Sequence, residues 1–145
     1  MPFRLIVPND VYTVMVAQAL TEQPNECCGL LAGVLEAPPD EDVPIGRVAR
    51  IYPLTNAAAS PIEYLSDARS MFEAMRDMRH HGLDVLAVYH SHPTSAPVPS
   101  RKDRERNYSE NVVNLIVSLT TTPPTVRGWW LTAESYREAE WIIAD

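Results

Sequence analysis

The sequence predicts a mixed α/β (α+β) fold, a mixed β-sheet flanked by helices, on three observations. Two segments with apolar residues at helical spacing interleave with about six short runs rich in β-branched and aromatic residues. The 13 prolines are scattered rather than clustered, which suits rigid turns between short elements. No repeat, low-complexity stretch or shift in composition divides the 145 residues, so residues 1–145 are expected to form a single domain.

Taken in order, residues 3–7 are a short β-type run stopped by Pro8. Asn9 or Asp10 is placed to cap a helix in which Val11, Val14, Met15 and Ala19 recur at helical spacing until Pro24. Residues 27–35 are apolar and broken by Gly29 and Gly33, the pattern of a buried strand. Prolines and acids make 36–46 a loop, and 47–54 alternate as a half-buried strand does. Ser66 is the expected cap of the next helix. Ala68, Met71, Met75 and Met78 are its apolar stripe, and His80-His81-Gly82 its end. Residues 84–89 read as a strand, 90–99 as a proline-studded loop and 100–108 as a short charged helix. Two further strands follow at 112–120 and 126–131, and 136–143 fit either type. Trp129 and Trp130, adjacent on a strand, are expected to place one ring inside and the other outside.

Composition narrows the function classes. With 46% hydrophobic and 21% charged residues the chain is of ordinary folded type. Its 12 basic residues against 19 acidic ones give a net charge of −7, which argues against nucleic acid and against an anionic membrane surface as partners. No run approaches the roughly 18 apolar residues of a bilayer span, and the short apolar start lacks the pattern of a signal peptide. The two cysteines, Cys27 and Cys28, are adjacent and cannot build a disulfide framework, so a cytoplasmic location is expected. Both read as buried thiols pointing to alternate faces of their strand.

The chemistry concentrates after the 84–89 strand. In extended backbone, side chains two residues apart point the same way, so His90 and His92 face one point in space. Asp103, one turn into the following helix, is placed to reach back to that point. Two imidazoles and a carboxylate are three ligands, the number that zinc usually takes from protein in catalytic sites; manganese and non-haem iron suit the same set. Ser100 and Asp103 alone read as helix capping. With ordinary composition the joint pattern arises by chance in on the order of one chain in several thousand.

His90-Ser91-His92, seven residues, Ser100, two residues and Asp103 reproduce the HxH-x7-S-x2-D signature of the JAMM (MPN-plus, JAB) zinc metalloproteases, which this sequence resembles. Residues 24–33, PNECCGLLAG, are similar to the element that carries the family's upstream glutamate, here Glu26. The resemblance runs through essentially the whole chain. It implies a sheet with packed helices, similar to the zinc cytidine deaminases, and one zinc ion per chain held by His90, His92 and Asp103. It further implies Glu26 as the base for the attacking water and Ser100 as a hydrogen-bond donor to the carbonyl oxygen as it becomes an oxyanion.

The implied activity is hydrolysis of a peptide or isopeptide bond at the C-terminal glycine of a small ubiquitin-like (sulfur-carrier) protein. At 145 residues there is little room for the insertions with which the family's deubiquitinating members grip ubiquitin, which favours a compact carrier. The alternative is a non-catalytic MPN-type interaction module, but the family's metal-free scaffolds lack motif residues that are present here. A nucleobase deaminase would need H-x-E and P-C-x-x-C, and neither occurs.

Overall fold

Eight strands form one mixed sheet in the order β7-β6-β5-β4-β2-β3-β1-β8, in a computed structural model that describes residues 2–145. Along the chain the elements are β1 (Arg4–Pro8), α1 (Asn9–Glu22), β2 (Cys28–Glu36), β3 (Ile45–Leu54), α2 (Ala68–His80) and β4 (Asp84–His92). After these come α3 (Arg101–Glu105), β5 (Val113–Ser118), β6 (Thr125–Leu131), β7 (Tyr136–Glu138) and β8 (Trp141–Ala144). The architecture is the expected one, a mixed sheet with helices packed on it.

The sheet cannot be flat. β7 and β8 are its two edges, yet only Ala139 and Glu140 separate them. Three residue steps reach at most about 11 Å, whereas eight strands laid flat would span roughly 34 Å. The sheet therefore curls until its edges meet, and the stretch 136–144 stitches β6 to β1. The Ala139 N–H donates to Gly128 O at 2.8 Å, and the Leu5 N–H donates to Glu140 O at 3.1 Å.

α1 packs against one face of the curl. Val11, Met15 and Ala19 meet Leu5, Val7, Leu31, Ala87, Tyr89, Leu115 and Val117, all buried. Each such Leu, Val or Met contributes about 1.5–3 kcal/mol by leaving water. α2 covers the other face, with Ala74 and Met78 on Cys28, Leu30, Ala32 and Val88. Gly29 has to be glycine, because a Cβ there would lie 2.1 Å from the Tyr89 ring. That ring spans the gap to α1, where the Tyr89 hydroxyl donates to the Gln18 side chain. Gln18 in turn donates to Cys28 O at 3.0 Å. Gly82, with φ +66°, ends α2 as a left-handed residue.

Several local expectations give way to tertiary structure. α1 begins directly after Pro8, with no side-chain cap, so Asn9 and Asp10 lie in its first turn. Val14 is exposed, and Tyr12 takes the inward place by stacking on Trp141. Asp67, not Ser66, caps α2, its carboxylate accepting the Ser70 N–H at 3.0 Å, and Ala74 rather than Ala68 faces the core. α3 has only five residues and buries none of them, because its charged sequence has no apolar face to extend. Both tryptophans are buried: Trp130 meets Phe3 edge-on, and Trp129 lies on the opposite face, with Nε1–H donating to Pro97 O at 2.9 Å. No helix among the described residues is long and apolar enough to cross a membrane.

Candidate metal centre

β4 does not stop at Tyr89. It pairs with β2 through His90 and with parallel β5 through His92, so the two histidines lie in regular strand rather than in a loop. Strand alternation then turns both imidazoles to one face. After the turn, the first helical stretch brings Asp103 back to them. His90 Nε2 lies 3.2 Å from His92 Nε2 and 3.2 Å from Asp103 Oδ1, and His92 Nε2 lies 3.1 Å from Asp103 Oδ2. All three side chains are buried or nearly so.

The hydrogen bonding around the trio settles one protonation state. Ala96 O is a carbonyl and can only accept, so His92 Nδ1, 2.8 Å away, carries the hydrogen. In the neutral ring His92 Nε2 is then a lone pair facing a carboxylate and a second imidazole. Such a convergence of lone pairs suits a cation. A tetrahedral site with bonds of about 2.0–2.1 Å places its donor atoms about 3.3 Å apart; the two imidazole nitrogens lie 3.2 Å apart, and each has one carboxylate oxygen at 3.1–3.2 Å. The residues fit a divalent metal in number, chemistry and spacing.

In the metal-free chain the charge balance of the trio is carried by protons instead. Burial alone would raise the Asp103 carboxyl, but the His90 charge and hydrogen bonds from His90, His92 and the Ser100 N–H outweigh it and hold the carboxyl far below its usual range. Burial works against a charged His92. Asp103 and the Ala96 carbonyl outweigh it, and the ring is more basic than usual.

Glu26 sits just before β2 and is buried, with Oε1 lacking any hydrogen-bond partner among the described residues. Burial pushes its carboxyl up to about 8, and it lies near enough to His92 and Asp103 to feel both charges. Its backbone is pinned from three sides. The Glu26 N–H donates to Ser60 O at 2.8 Å, and Glu26 O accepts from the Asn56 amide at 2.9 Å. The following Cys27 N–H donates to Ser91 Oγ at 2.8 Å, while the Ser91 N–H donates to Cys27 O at 3.1 Å. Ser91, between the two histidines, thus ties the strand that carries them to the segment that carries Glu26.

Ser100 is the N-cap of α3. Its Oγ accepts the Asp103 N–H at 3.1 Å, and Asp103 Oδ2 accepts the Ser100 N–H at 2.9 Å, a reciprocal capping box. The cap therefore also holds the carboxylate that completes the trio. The cysteines point to alternate faces, Cys27 into the α1 core and Cys28 beneath α2, where it neighbours His90 across the strands.

Sequence reasoning did not single out Asn56 or Tyr64. Asn56 is buried and uses its whole amide: Nδ2 donates to Glu26 O and Glu63 O, and Oδ1 accepts from the Ala58 and Leu65 N–H groups. Tyr64 stacks on His90 with ring centres 4.8 Å apart and planes at 26°. Neither carries a local signal, since both act from an irregular connection whose course the sequence does not reveal.

The chain matches the family of prokaryotic homologs of the JAB domain over residues 8–132. It is 36% identical over 100 residues to a probable TtuB-protein conjugate cleaving protease of Thermus thermophilus, covering 68% of this chain and 60% of that protein. It is 35% identical over 99 residues to the CysO-cysteine peptidase of Mycobacterium tuberculosis, covering 68% and 62%. The matched segment thus spans about three-fifths of each relative. A Desulfitobacterium hafniense protein solved in solution superposes with a TM-score of 0.83 at 30% identity, over 97% of this chain and 93% of that one. The match to the family extends over the strand and the short helix that bear the trio and the segment that bears Glu26, and on it this chain belongs to the prokaryotic homologs of the JAB domain.

Proposed function

We propose that the chain is a zinc-dependent, cytoplasmic hydrolase that cleaves a peptide or isopeptide bond at the C-terminal glycine of a small ubiquitin-like, sulfur-carrier-type protein. The observation that carries this reading is the convergence of His90 Nε2, His92 Nε2 and the Asp103 carboxylate near a buried glutamate with an unpaired oxygen. His90, His92 and Asp103 would hold the ion. Bound zinc supplies positive charge that polarises a carbonyl and brings the pKa of water from 15.7 to about 7. Relatives named for cleaving TtuB-protein conjugates and CysO-cysteine support a carrier's C-terminal adduct as the substrate. The intact trio speaks against the interaction-module alternative.

The proton transfers fall to residues of this chain. Glu26 takes the proton of the attacking water and returns it to the departing amine, a double duty that suits a carboxyl titrating near neutrality. Positive charge at the trio draws that value down, so Glu26 is ionised when it must act as a base. Ser100 Oγ already accepts from its own helix. Its remaining proton is free to meet the substrate carbonyl as negative charge gathers there.

The test is to incubate the protein with a carrier–cysteine adduct and with a carrier–lysine isopeptide conjugate, followed by mass spectrometry. The expected result is loss of the adduct from the terminal glycine, abolished by chelator and restored by zinc. Intact substrates at saturating zinc would rule the reading out.

A further inference from the structure

We infer that Tyr64 is a positioning residue, whose stacked ring sets the plane of an imidazole whose second nitrogen no hydrogen bond holds. The inference rests on the metal reading above and concerns a feature in which the two histidines differ. Ligating imidazoles ordinarily have their second ring nitrogen held by a carbonyl or carboxylate. His92 follows that rule through Ala96 O. His90 does not: its Nδ1 is buried and has no hydrogen-bond partner among the described residues.

A turn of the His90 ring out of its present plane would swing Nε2 away from Asp103 Oδ1. What stands against that turn is the Tyr64 ring, near-parallel to it at 4.8 Å, with the tilted His92 ring at 5.0 Å. Tyr64 can serve as a fixed wall because its chain neighbours are both tethered to one buried side chain. Asn56 Nδ2 donates to Glu63 O at 3.2 Å, and Asn56 Oδ1 accepts the Leu65 N–H at 2.9 Å. The Glu63 carboxylate adds a second tether, to Lys102 on α3. The connection that presents Tyr64 is thus tied both to Glu26, through Asn56, and to the helix of Asp103.

The experiment compares Tyr64→Phe, which keeps a flat ring, with Tyr64→Leu, which keeps apolar bulk and loses the plane. Zinc affinity is read by chelator competition, and the metal-free chains by NMR and by melting. We expect the Phe variant to bind zinc within about twofold of the unmodified protein and the Leu variant to bind roughly tenfold or more weakly, the range seen when an imidazole loses its orienting partner. In the metal-free protein and the Phe variant the His90 ring protons should be shifted upfield by the neighbouring ring. That shift should vanish in the Leu variant while its melting temperature stays near that of the Phe variant. Equal affinities of the two variants, or no upfield shift in the unmodified chain, would overturn this role alone. A chain that binds no zinc at all would overturn the metal reading and this role with it.

Discussion

Along β4, successive side chains face two very different surroundings. Ala87, Tyr89 and Ser91 point toward α1, whereas Val88, His90 and His92 point the other way. Burial does not distinguish the faces, since all six residues are buried. Satisfaction does. On the α1 side the Tyr89 hydroxyl reaches Gln18 and Ser91 exchanges two hydrogen bonds with Cys27. On the other side His90 Nδ1 and Glu26 Oε1 have no partner among the described residues, and ligand atoms of His90, His92 and Asp103 crowd one point. The satisfied face fixes the strand; the unsatisfied face is left able to bind.

Substitutions on the two faces should therefore fail in different ways. The largest effect is expected from His92→Ala, which should lose zinc binding and turnover together, by roughly a thousandfold or more in rate if ligand and base act as a unit. Calorimetric zinc titration alongside adduct cleavage measures both, and retained turnover would remove His92 from the site.

Glu26→Gln should lower the rate about 10²- to 10⁴-fold while zinc still binds. It should also change the pH dependence of stability. The folded carboxyl titrates at about 8 against 4.5 in the reference state, so the native metal-free chain keeps a proton that the unfolded chain releases. Stability then falls as pH rises from about 4.5 to 8, by about 3 kcal/mol at pH 7. Urea melts of the Gln variant should lack that slope.

Ser100→Gly separates two roles, because glycine caps a helix within a few tenths of a kcal/mol of serine but has no hydroxyl. A rate loss of about a hundredfold with an unchanged melt is expected; an unchanged rate would leave Ser100 a cap only. Ser91→Ala, on the satisfied face, strands the buried Cys27 N–H and should cost about 1–3 kcal/mol in a denaturant titration while zinc binding persists. Loss of zinc affinity there would show that the two faces are not separable. The smallest effect belongs to Lys102→Ala, which breaks an exposed ion pair with Glu63 and should leave the melting temperature unchanged within error.

The trio was legible because its geometry is local. His90 and His92 are two apart in extended backbone, and Ser100 starts the turn that returns Asp103. The sheet was legible from runs such as the one that became β5, whose six residues are all buried. What stayed hidden depends on distant chain. The burial of Glu26 is imposed by the connection after β3, which passes over it through Asn56 and Ser60. Tyr64 reads as one tyrosine among six until that connection lays its ring on His90. The division of 136–144 into two strands on opposite edges has no turn residues to announce it, since Ala139 and Glu140 serve as well in a strand as between two. Ser66 and Asp67 are equally good caps by type, and only the side chain's reach to Ser70 chose between them.

The closure of the sheet also sets when folding can finish. Leu5 pairs with Trp141, and the Arg4–Glu140 ion pair beside it joins residues 136 apart. As the chain is made, α1 emerges early, but β1 keeps an open edge until residues 141–144 have left the ribosome. For that interval the emerging chain presents a bare strand edge with which another chain could pair.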